Sequence, residues 1–236
     1  MDERHLSKRL QAVADLVPDN ARLADIGSDH AYLPAALLLA DKIKYAVAGE
    51  VAKGPFENEK AEINKLQMQD CLIPRLADGL DAIENDDHID TVVIAGMGGS
   101  LIEEILDRGQ DKLAGVKHLI LQPNIGEYRL RKWLMEHHFQ IMHEELLADE
   151  GHRYEIILAE PSICPVRYNQ RELLFGPLLL EHQGPLFDAK WQSEAGRLEQ
   201  ALTQMAKAQS QDTQRKEQLQ AKLNLIKGVI GNDHGE

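Results

Sequence analysis

Short β-like runs alternate with helical stretches over most of the sequence, and this alternation constrains the fold more than any other feature. The runs lie at residues 22–26, 45–49, 71–76, 91–95, 117–121, 139–147 and 153–159. Helical stretches lie between most of them, at residues 31–41, 55–67, 79–84, 100–107 and 127–137. Strands that alternate with helices of this length build βαβ units. The sequence therefore predicts an α/β fold with a mainly parallel sheet that is covered by helices on both faces.

The last two runs are separated by only a short turn at residues 149–152, which predicts an antiparallel hairpin. Parallel strands that end in such a hairpin are the strand order of the Rossmann-like class I methyltransferase sheet. Pro74 in the third run has no N–H to donate to a central ladder. In that order the third strand lies at the sheet edge, where proline is tolerated. An amphipathic helix between Leu6 and Val17 is predicted before the first strand.

The hydrophobic pattern changes after residues 161–176, a linker with a short helical piece at 170–175. Apolar residues then recur at spacings of 4 and 3 in two stretches on either side of the polar residues 210–214. They are Trp191, Ala195, Leu198, Leu202 and Met205, then Leu219, Leu223, Ile226 and Ile230. Two heptad helices joined by a turn predict an antiparallel coiled-coil hairpin, with an intermolecular zipper as the alternative. We expect a Rossmann-like domain at 1–162, a helical coiled-coil domain at 163–236, and a monomer.

Composition limits the classes of partner. The net charge is −13, and the acidic excess lies entirely in the first 166 residues. Such a surface does not bind nucleic acid indiscriminately, so an RNA partner must be held by local patches such as Arg129, Arg131 and Lys132. No stretch approaches the ~18 apolar residues of a membrane span, and the first residues lack a signal-peptide core, so we expect a cytoplasmic protein. The two cysteines match no metal-ligand spacing, and no metal is expected.

Candidate chemistry begins at the end of the first strand, where Asp25, Gly27, Ser28 and Asp29 precede a predicted helix. Gly27 allows a sharp turn that brings backbone amides close to a ligand. A dinucleotide fingerprint needs further glycines, but Asp29 and Tyr32 stand in their places, and a carboxylate there repels a pyrophosphate. The segment therefore disfavours NAD and FAD. An ordinary strand-to-helix turn is the alternative.

Acidic residues also follow the second and third strands. Glu50 lies at the spacing from Asp25 at which Rossmann-like folds place an acid on a ribose diol, although a lone acid there is as often a solvated surface residue. Asp78, followed by Gly79, has the chemistry to accept a hydrogen bond from an adenine amino group. A helix cap is the alternative role for Asp78.

The fourth and fifth strands end in a glycine-rich and an amide-rich segment. Gly96 and Met97 lie within a run that has three glycines in four positions, which requires close approach of backbone or ligand. Gln122 and Asn124 carry side-chain amides suited to the edge of a base, with a helix N-cap as the alternative for Asn124. Tyr154, at the start of the last strand, is suited either to stacking on a base or to cross-strand packing.

These segments together resemble the bacterial tRNA (adenine(22)-N(1))-methyltransferase family over nearly the whole chain. The motifs are LSKRLQAVA at Leu6, ADIGSDHAYLP at Ala24, AGE at Ala48, ADGL at Ala77, IAGMGG at Ile94, LILQPN at Leu119 and YEIILAE at Tyr154. The resemblance implies S-adenosylmethionine as cofactor and N1 of a tRNA adenine as target. AGMGG replaces the N/D-P-P-Y motif of many amino-group methyltransferases, which fits a ring nitrogen.

The motifs and the resemblance together assign three groups of site residues. The cofactor group is Asp25, Gly27, Ser28, Glu50, Asp78, Gly79, Gly96 and Met97. The catalytic candidates are Asp29, His30, Tyr32 and Asn124, with Asp29 first because a carboxylate stabilises the cationic product. The substrate group is Gln122, Pro123, Arg129 and Tyr154. A dinucleotide-dependent oxidoreductase and a noncatalytic RNA-binding protein remain the alternative functions.

Overall fold

A computed structural model of the chain describes residues 3, 5–207 and 212–230. The strands are β1 (Arg22–Ile26), β2 (Tyr45–Glu50), β3 (Leu72–Leu76), β4 (Thr91–Gly98), β5 (His118–Ile125), β6 (Phe139–Asp149) and β7 (His152–Pro161). The helices are α1 (Lys8–Leu16), α2 (Tyr32–Leu39), α3 (Lys53–Leu66), α4 (Gly99–Arg108), α5 (Glu127–Glu136), α6 (Gln170–Phe175), α7 (Pro177–Glu181), α8 (Pro185–Lys207) and α9 (Thr213–Ile230). Short 3₁₀ helices cover Gly79–Ala82, Asn85–Asp87 and Gln110–Leu113.

The strands form one sheet in the order β3-β2-β1-β4-β5-β7-β6. The first five strands are parallel, whereas β7 is antiparallel to both β5 and β6. This confirms the predicted Rossmann-like sheet with its terminal hairpin. Pro74 pairs with Ala48 on the edge strand β3, as the strand order required. The carboxyl ends of β1, β2, β4 and β5 therefore meet along one edge of the sheet.

Alternate residues of the central strands supply two apolar cores. On one face, Val92 and Ile94 of β4 pack with Leu106 of α4 and Leu134 of α5. On the other face, Val93 packs in a second cluster whose members come also from α1, α2 and α3. Because successive side chains of a strand point to opposite faces, one apolar strand serves both layers. These buried layers hold the strand ends in fixed positions.

The chain forms two compact units, Met1–Leu178 and Leu179–Glu236. The first unit extends past residue 162, the boundary expected from the sequence. Arg131 explains this extension, because it is fully buried and pairs with Glu144 and Glu155, while its guanidinium also lies 3.4 Å from the carbonyl oxygen of Leu173. The backbone N–H of Leu178 donates to Glu144 as well, at 2.9 Å. These polar contacts attach the segment after β7 to the hairpin.

The second unit contains α8 and α9. These two long helices pack against each other. Of the predicted heptad positions, Trp191, Ala195, Leu198, Leu223 and Ile226 are buried, and Val229 is buried in addition. Ion pairs join Glu194 to Lys222 and Glu199 to Lys227. The two predicted helices are confirmed. Residues 210 and 211 of the turn expected at 210–214 lie outside the described residues, and true coiled-coil packing stays a prediction.

Within the described ranges, the helices include none with the length and apolarity that a bilayer crossing demands.

Candidate active site

The loop after β1 has an unusual backbone. Gly27 has φ +73°, and its N–H donates to the carbonyl oxygen of Gly49 at 2.8 Å, which fixes the loop to the end of β2. The positive φ favours glycine at this position, and the space where a Cβ would lie is filled by the flexible terminal methyl of Met97. Asp29, His30 and Ala31 follow with φ of 31°, 67° and 55°. Single non-glycine residues with positive φ occur at several turns of this protein, but three in succession occur here, and backbone strain of this kind clusters at functional sites.

This strained loop carries the three residues predicted to face the target. The Asp29 side chain is 76% exposed, and its Oδ1 lies 3.5 Å from Nε2 of His30. The His30 ring stacks on Tyr32 with 5.2 Å between the ring centroids. The loop therefore presents a solvent-accessible carboxylate and two stacked rings beside the sheet edge.

Buried carboxyl groups gather below this loop. Asp25 accepts a hydrogen bond from the Ser28 hydroxyl at 2.8 Å, and burial raises its pKa to about 6. Glu50 is buried, and its Oε1 accepts from the N–H of Ala52 at 2.7 Å, so it is not the solvated surface residue of the alternative. Glu59 of α3 is fully buried, and neither oxygen has a hydrogen-bond partner within the described residues. Burial, then the charges of Asp25, Glu50 and Asp29, raise its pKa to about 8.

A hydrogen-bond network joins the ends of β4 and β5. Gln122 is buried, and its Oε1 accepts from the N–H of Gly96 at 3.0 Å. Its Nε2 donates to the carbonyl oxygen of Pro123 at 2.9 Å and lies 3.4 Å from Oδ1 of Asn124. Asn124 in turn donates to the carbonyl oxygen of Gly96 at 2.7 Å. The amides hold the glycine-rich segment in place, where β4 departs from regular register around Met97.

Arg9 of α1 completes this network. Its Nη1 donates to Oε1 of Gln122 at 2.5 Å, and its guanidinium carbon lies 5.4 Å from the centroid of the Tyr154 ring. The backbone N–H of Arg9 donates to Asp149 at 3.1 Å, which fixes the start of α1 against β6. A side chain from outside the βαβ units therefore reaches the same strand ends.

The family model for tRNA (adenine(22)-N(1))-methyltransferase, TrmK, matches residues 23–228. The Bacillus subtilis protein of that name is 39% identical over 241 residues, which cover 100% of both chains. The chain belongs to the tRNA (adenine(22)-N(1))-methyltransferase family. Two solved structures extend the similarity. A Streptococcus pneumoniae protein in complex with S-adenosyl-L-methionine has a TM-score of 0.87 at 41% identity, over 96% of this chain and 100% of that one.

The second structure is Mycoplasma capricolum TrmK in complex with S-adenosyl-homocysteine, with a TM-score of 0.86 at 27% identity, over 96% of this chain and 98% of that one. Membership of the tRNA (adenine(22)-N(1))-methyltransferase family confirms the resemblance found in the sequence. It decides against the dinucleotide-dependent oxidoreductase and the noncatalytic RNA-binding protein.

Most of the predicted site residues of this methyltransferase lie at the carboxyl edge of the sheet. Asp78 is at this edge but forms an ion pair with Arg108 at 2.7 Å, which lowers the pKa of Asp78. Asp78 occupies the N-cap position of the 3₁₀ helix Gly79–Ala82, but its side chain makes no capping hydrogen bond there. Asn124 is not the N-cap of α5, because Gly126 holds that position. Pro123 is buried in β5, where it pairs with Met97.

The expected basic patch of the methyltransferase does not form as predicted. Arg131 is fully buried among carboxylates and is not available to RNA. Arg129 is 61% exposed and paired with Glu103 at 2.6 Å, while Lys132 is 52% exposed beside Glu136. All three cations lie on α5, but Arg131 lies on the buried face of this helix. The hydrophobic pattern of α5 gave no signal for this, because its partners come from β6 and β7.

Two residues of the site were missed from the sequence. Arg9 lies within the motif at Leu6, but only the packing of α1 against β5, β6 and β7 places it at the site. Glu59 looks like any charged residue of an amphipathic helix, and its burial beside Asp25 depends on the packing of α3. No local pattern distinguishes either residue from a solvated charge.

Proposed function

We propose that this family member transfers the methyl group of S-adenosyl-L-methionine to N1 of adenine 22 in tRNA at the carboxyl edge of β1, β2, β4 and β5. The observation that carries the proposal is the concentration of carboxyl groups around a glycine turn at the ends of β1 and β2. The cofactor has a positive sulfonium and a positive ammonium group, so acidic surroundings suit it. The same surroundings oppose a pyrophosphate.

The residues at this edge fit the cofactor. Gly27 lacks a Cβ, and only the flexible terminal methyl of Met97 would have to move for a ligand to approach its backbone. Glu50 uses one oxygen on Ala52, and its other oxygen accepts no hydrogen bond from the described residues. That oxygen is suited to a ribose hydroxyl, and we propose that Asp25, Ser28, Asp78, Gly79 and Gly96 complete the cradle. When bound, the cofactor supplies an electrophilic methyl group.

The chain's own residues then have three tasks. N1 of adenine carries an in-plane lone pair, so no base is needed to activate it. Asp29 lies on the exposed side of the strained loop, where its carboxylate offsets the positive charge that develops on the adenine ring. His30 and Tyr32 form a stacked surface beside it, which suits an extruded base. Asn124 positions the Gly96 segment on the opposite side.

Methyl transfer from labelled cofactor to unmodified tRNA, followed by nucleoside mapping, tests the proposal. We expect 1-methyladenosine at position 22 and nowhere else. A label on another nucleoside, or on none, would contradict it.

We further propose that the enzyme acts as a monomer in the cytoplasm, that it needs no metal, and that the helical domain after the methyltransferase domain holds tRNA. The described residues include no group of three or more potential metal ligands. Sedimentation of the free enzyme and its tRNA complex tests the stoichiometry.

A further inference from the structure

Arg9 differs from four other arginines around the methyltransferase sheet. Arg75, Arg108, Arg129 and Arg131 each pair with at least one carboxylate. The Arg9 side chain has no carboxylate within ion-pair distance among the described residues, although the chain contains 39 Asp and Glu residues. Within the described part of the chain, the Arg9 side chain donates a hydrogen bond to the neutral amide oxygen of Gln122. A partly buried guanidinium thus keeps most of its five N–H donors available.

The surroundings of Arg9 hold it in one orientation. Ser7 caps α1 by accepting from the N–H of Leu10 at 3.2 Å, and Asp149 accepts from the N–H of Arg9 itself. Tyr154 lies against the guanidinium, and Gln122 binds one end of it. Contact with an aromatic ring leaves the in-plane donors of a guanidinium free for a second partner. A prearranged fork of this kind matches a phosphate.

The crevice is also polarised. Carboxyl groups gather at the ends of β1 and β2, whereas Arg9 lies beside the end of β5 and the start of β7, with Gly96 between. A Cβ at Gly96 would lie 3.5 Å from Nη1 of Arg9, so the guanidinium stands directly over the glycine segment. The methylated ring is cationic, and a guanidinium against that ring would oppose the reaction. The anionic backbone of the same nucleotide is the group that suits Arg9.

From this geometry we propose that Arg9 binds a phosphate flanking the methylated adenosine and so holds the extruded nucleotide in the crevice. The inference rests on the proposed function. Phosphate contacts fix the register of a nucleic acid without reading its sequence, and an extruded base needs such an anchor. Gln122 is then a positioning residue, since its amide is buried and already hydrogen bonded on both ends.

Salt dependence of tRNA binding tests the proposal with Arg9→Gln, Arg9→Lys and the control Lys44→Gln. Lys44 precedes β2 at the opposite edge of the sheet and is exposed. We expect Arg9→Gln to weaken tRNA binding about tenfold. The association constant of this variant should also depend less steeply on salt, with the slope of log K against log salt smaller in magnitude by about 0.7–0.9, which corresponds to the loss of one phosphate contact. Cofactor affinity and melting temperature stay unchanged. Arg9→Lys keeps the slope, and Lys44→Gln behaves as wild type.

A tRNA with one neutral methylphosphonate, placed either 5′ or 3′ of the target adenosine, locates the contact. At one of the two positions, the modification should weaken wild-type binding about tenfold and leave Arg9→Gln unaffected. An unchanged salt slope in Arg9→Gln, or an equal methylphosphonate penalty in both proteins, would overturn the inference while wild-type methyl transfer still supports the proposed function. A wild-type enzyme that transfers no methyl group to tRNA would contradict both the proposed function and the inference about Arg9.

Discussion

Asp29 is the residue on which the proposed chemistry depends most. Its carboxylate is exposed at the sheet edge, while the cofactor cradle consists of other residues. We therefore expect Asp29→Ala to bind S-adenosylmethionine normally but to lose about 10²-fold or more in single-turnover methyl transfer. Calorimetric titration of the cofactor and rapid-quench assays measure the two quantities separately. Wild-type turnover in this variant would refute the role of Asp29.

Glu59 gives a pH-dependent prediction for stability. Its folded-state pKa of about 8 lies above the ordinary value of 4.5, so the folded protein holds a proton that the unfolded chain releases. Stability from this group is complete below pH 4.5 and is lost as pH rises towards 8. Glu59→Gln is neutral throughout. Its free energy of unfolding should equal that of wild type near pH 4.5 and exceed it by about 2–5 kcal/mol at pH 8.5.

Chemical denaturation at both pH values measures this difference. Glu57→Gln is the matched control, since Glu57 lies on the same helix but is 55% exposed. Its difference from wild type should not change with pH. If the difference in free energy of unfolding between Glu59→Gln and wild type is also the same at both pH values, Glu59 is not a buried protonated carboxyl group.

At the scale of elements, the polar cluster of Arg131, Glu144 and Glu155 joins α5 to the β6–β7 hairpin. Removal of Arg131 takes the positive charge away from the buried carboxylates of Glu144 and Glu155, so we expect Arg131→Met to destabilise the protein by about 3–5 kcal/mol. Arg129→Met on the same helix removes an exposed pair and should cost less than about 1 kcal/mol. Urea unfolding of both variants measures the contrast. An equal loss of unfolding free energy in the two variants would show that the buried cluster stabilises the protein no more than the exposed ion pair does.

The elements themselves were largely predictable from the sequence. β1 and α6 have the predicted bounds, because turn residues and apolar runs mark their ends. β4 and β5 run three and four residues further than predicted, to Gly98 and Ile125. Their extensions include two glycines, a proline and an asparagine, which have low strand propensity, and they form strand because the two neighbouring segments pair with each other. The predicted helix at 79–84 is a shorter 3₁₀ helix.

The positions of site residues were predictable where the residues follow directly on parallel strands. Residues at the ends of parallel strands meet whatever the details of packing, which is why Gly27, Glu50, Gly96 and Asn124 lie at one edge. Contacts between distant segments were not predictable. The local sequence does not indicate that Arg9 approaches Gln122 or that Arg131 is buried, because both depend on how helices pack on the sheet.

At the scale of the whole molecule, the two compact units divide the work in our proposal. The chain carries a net charge of −13, so its affinity for tRNA must come from few contacts. Loss of a whole unit should therefore weaken tRNA binding strongly. We expect a chain that ends at Leu178 to bind S-adenosylmethionine as the full chain does but tRNA at least tenfold more weakly. Circular dichroism checks that the shortened chain is folded. Equal tRNA affinity would contradict the role of the helical unit.

A crystal structure of this enzyme soaked with S-adenosyl-L-methionine tests the central claim most directly. We predict cofactor density at the carboxyl ends of β1, β2 and β4, with the ribose hydroxyls on Glu50 and open space between Asp29 and Asn124 for one purine. Density at another surface, or a crevice that excludes the cofactor and accepts a dinucleotide, would contradict the account.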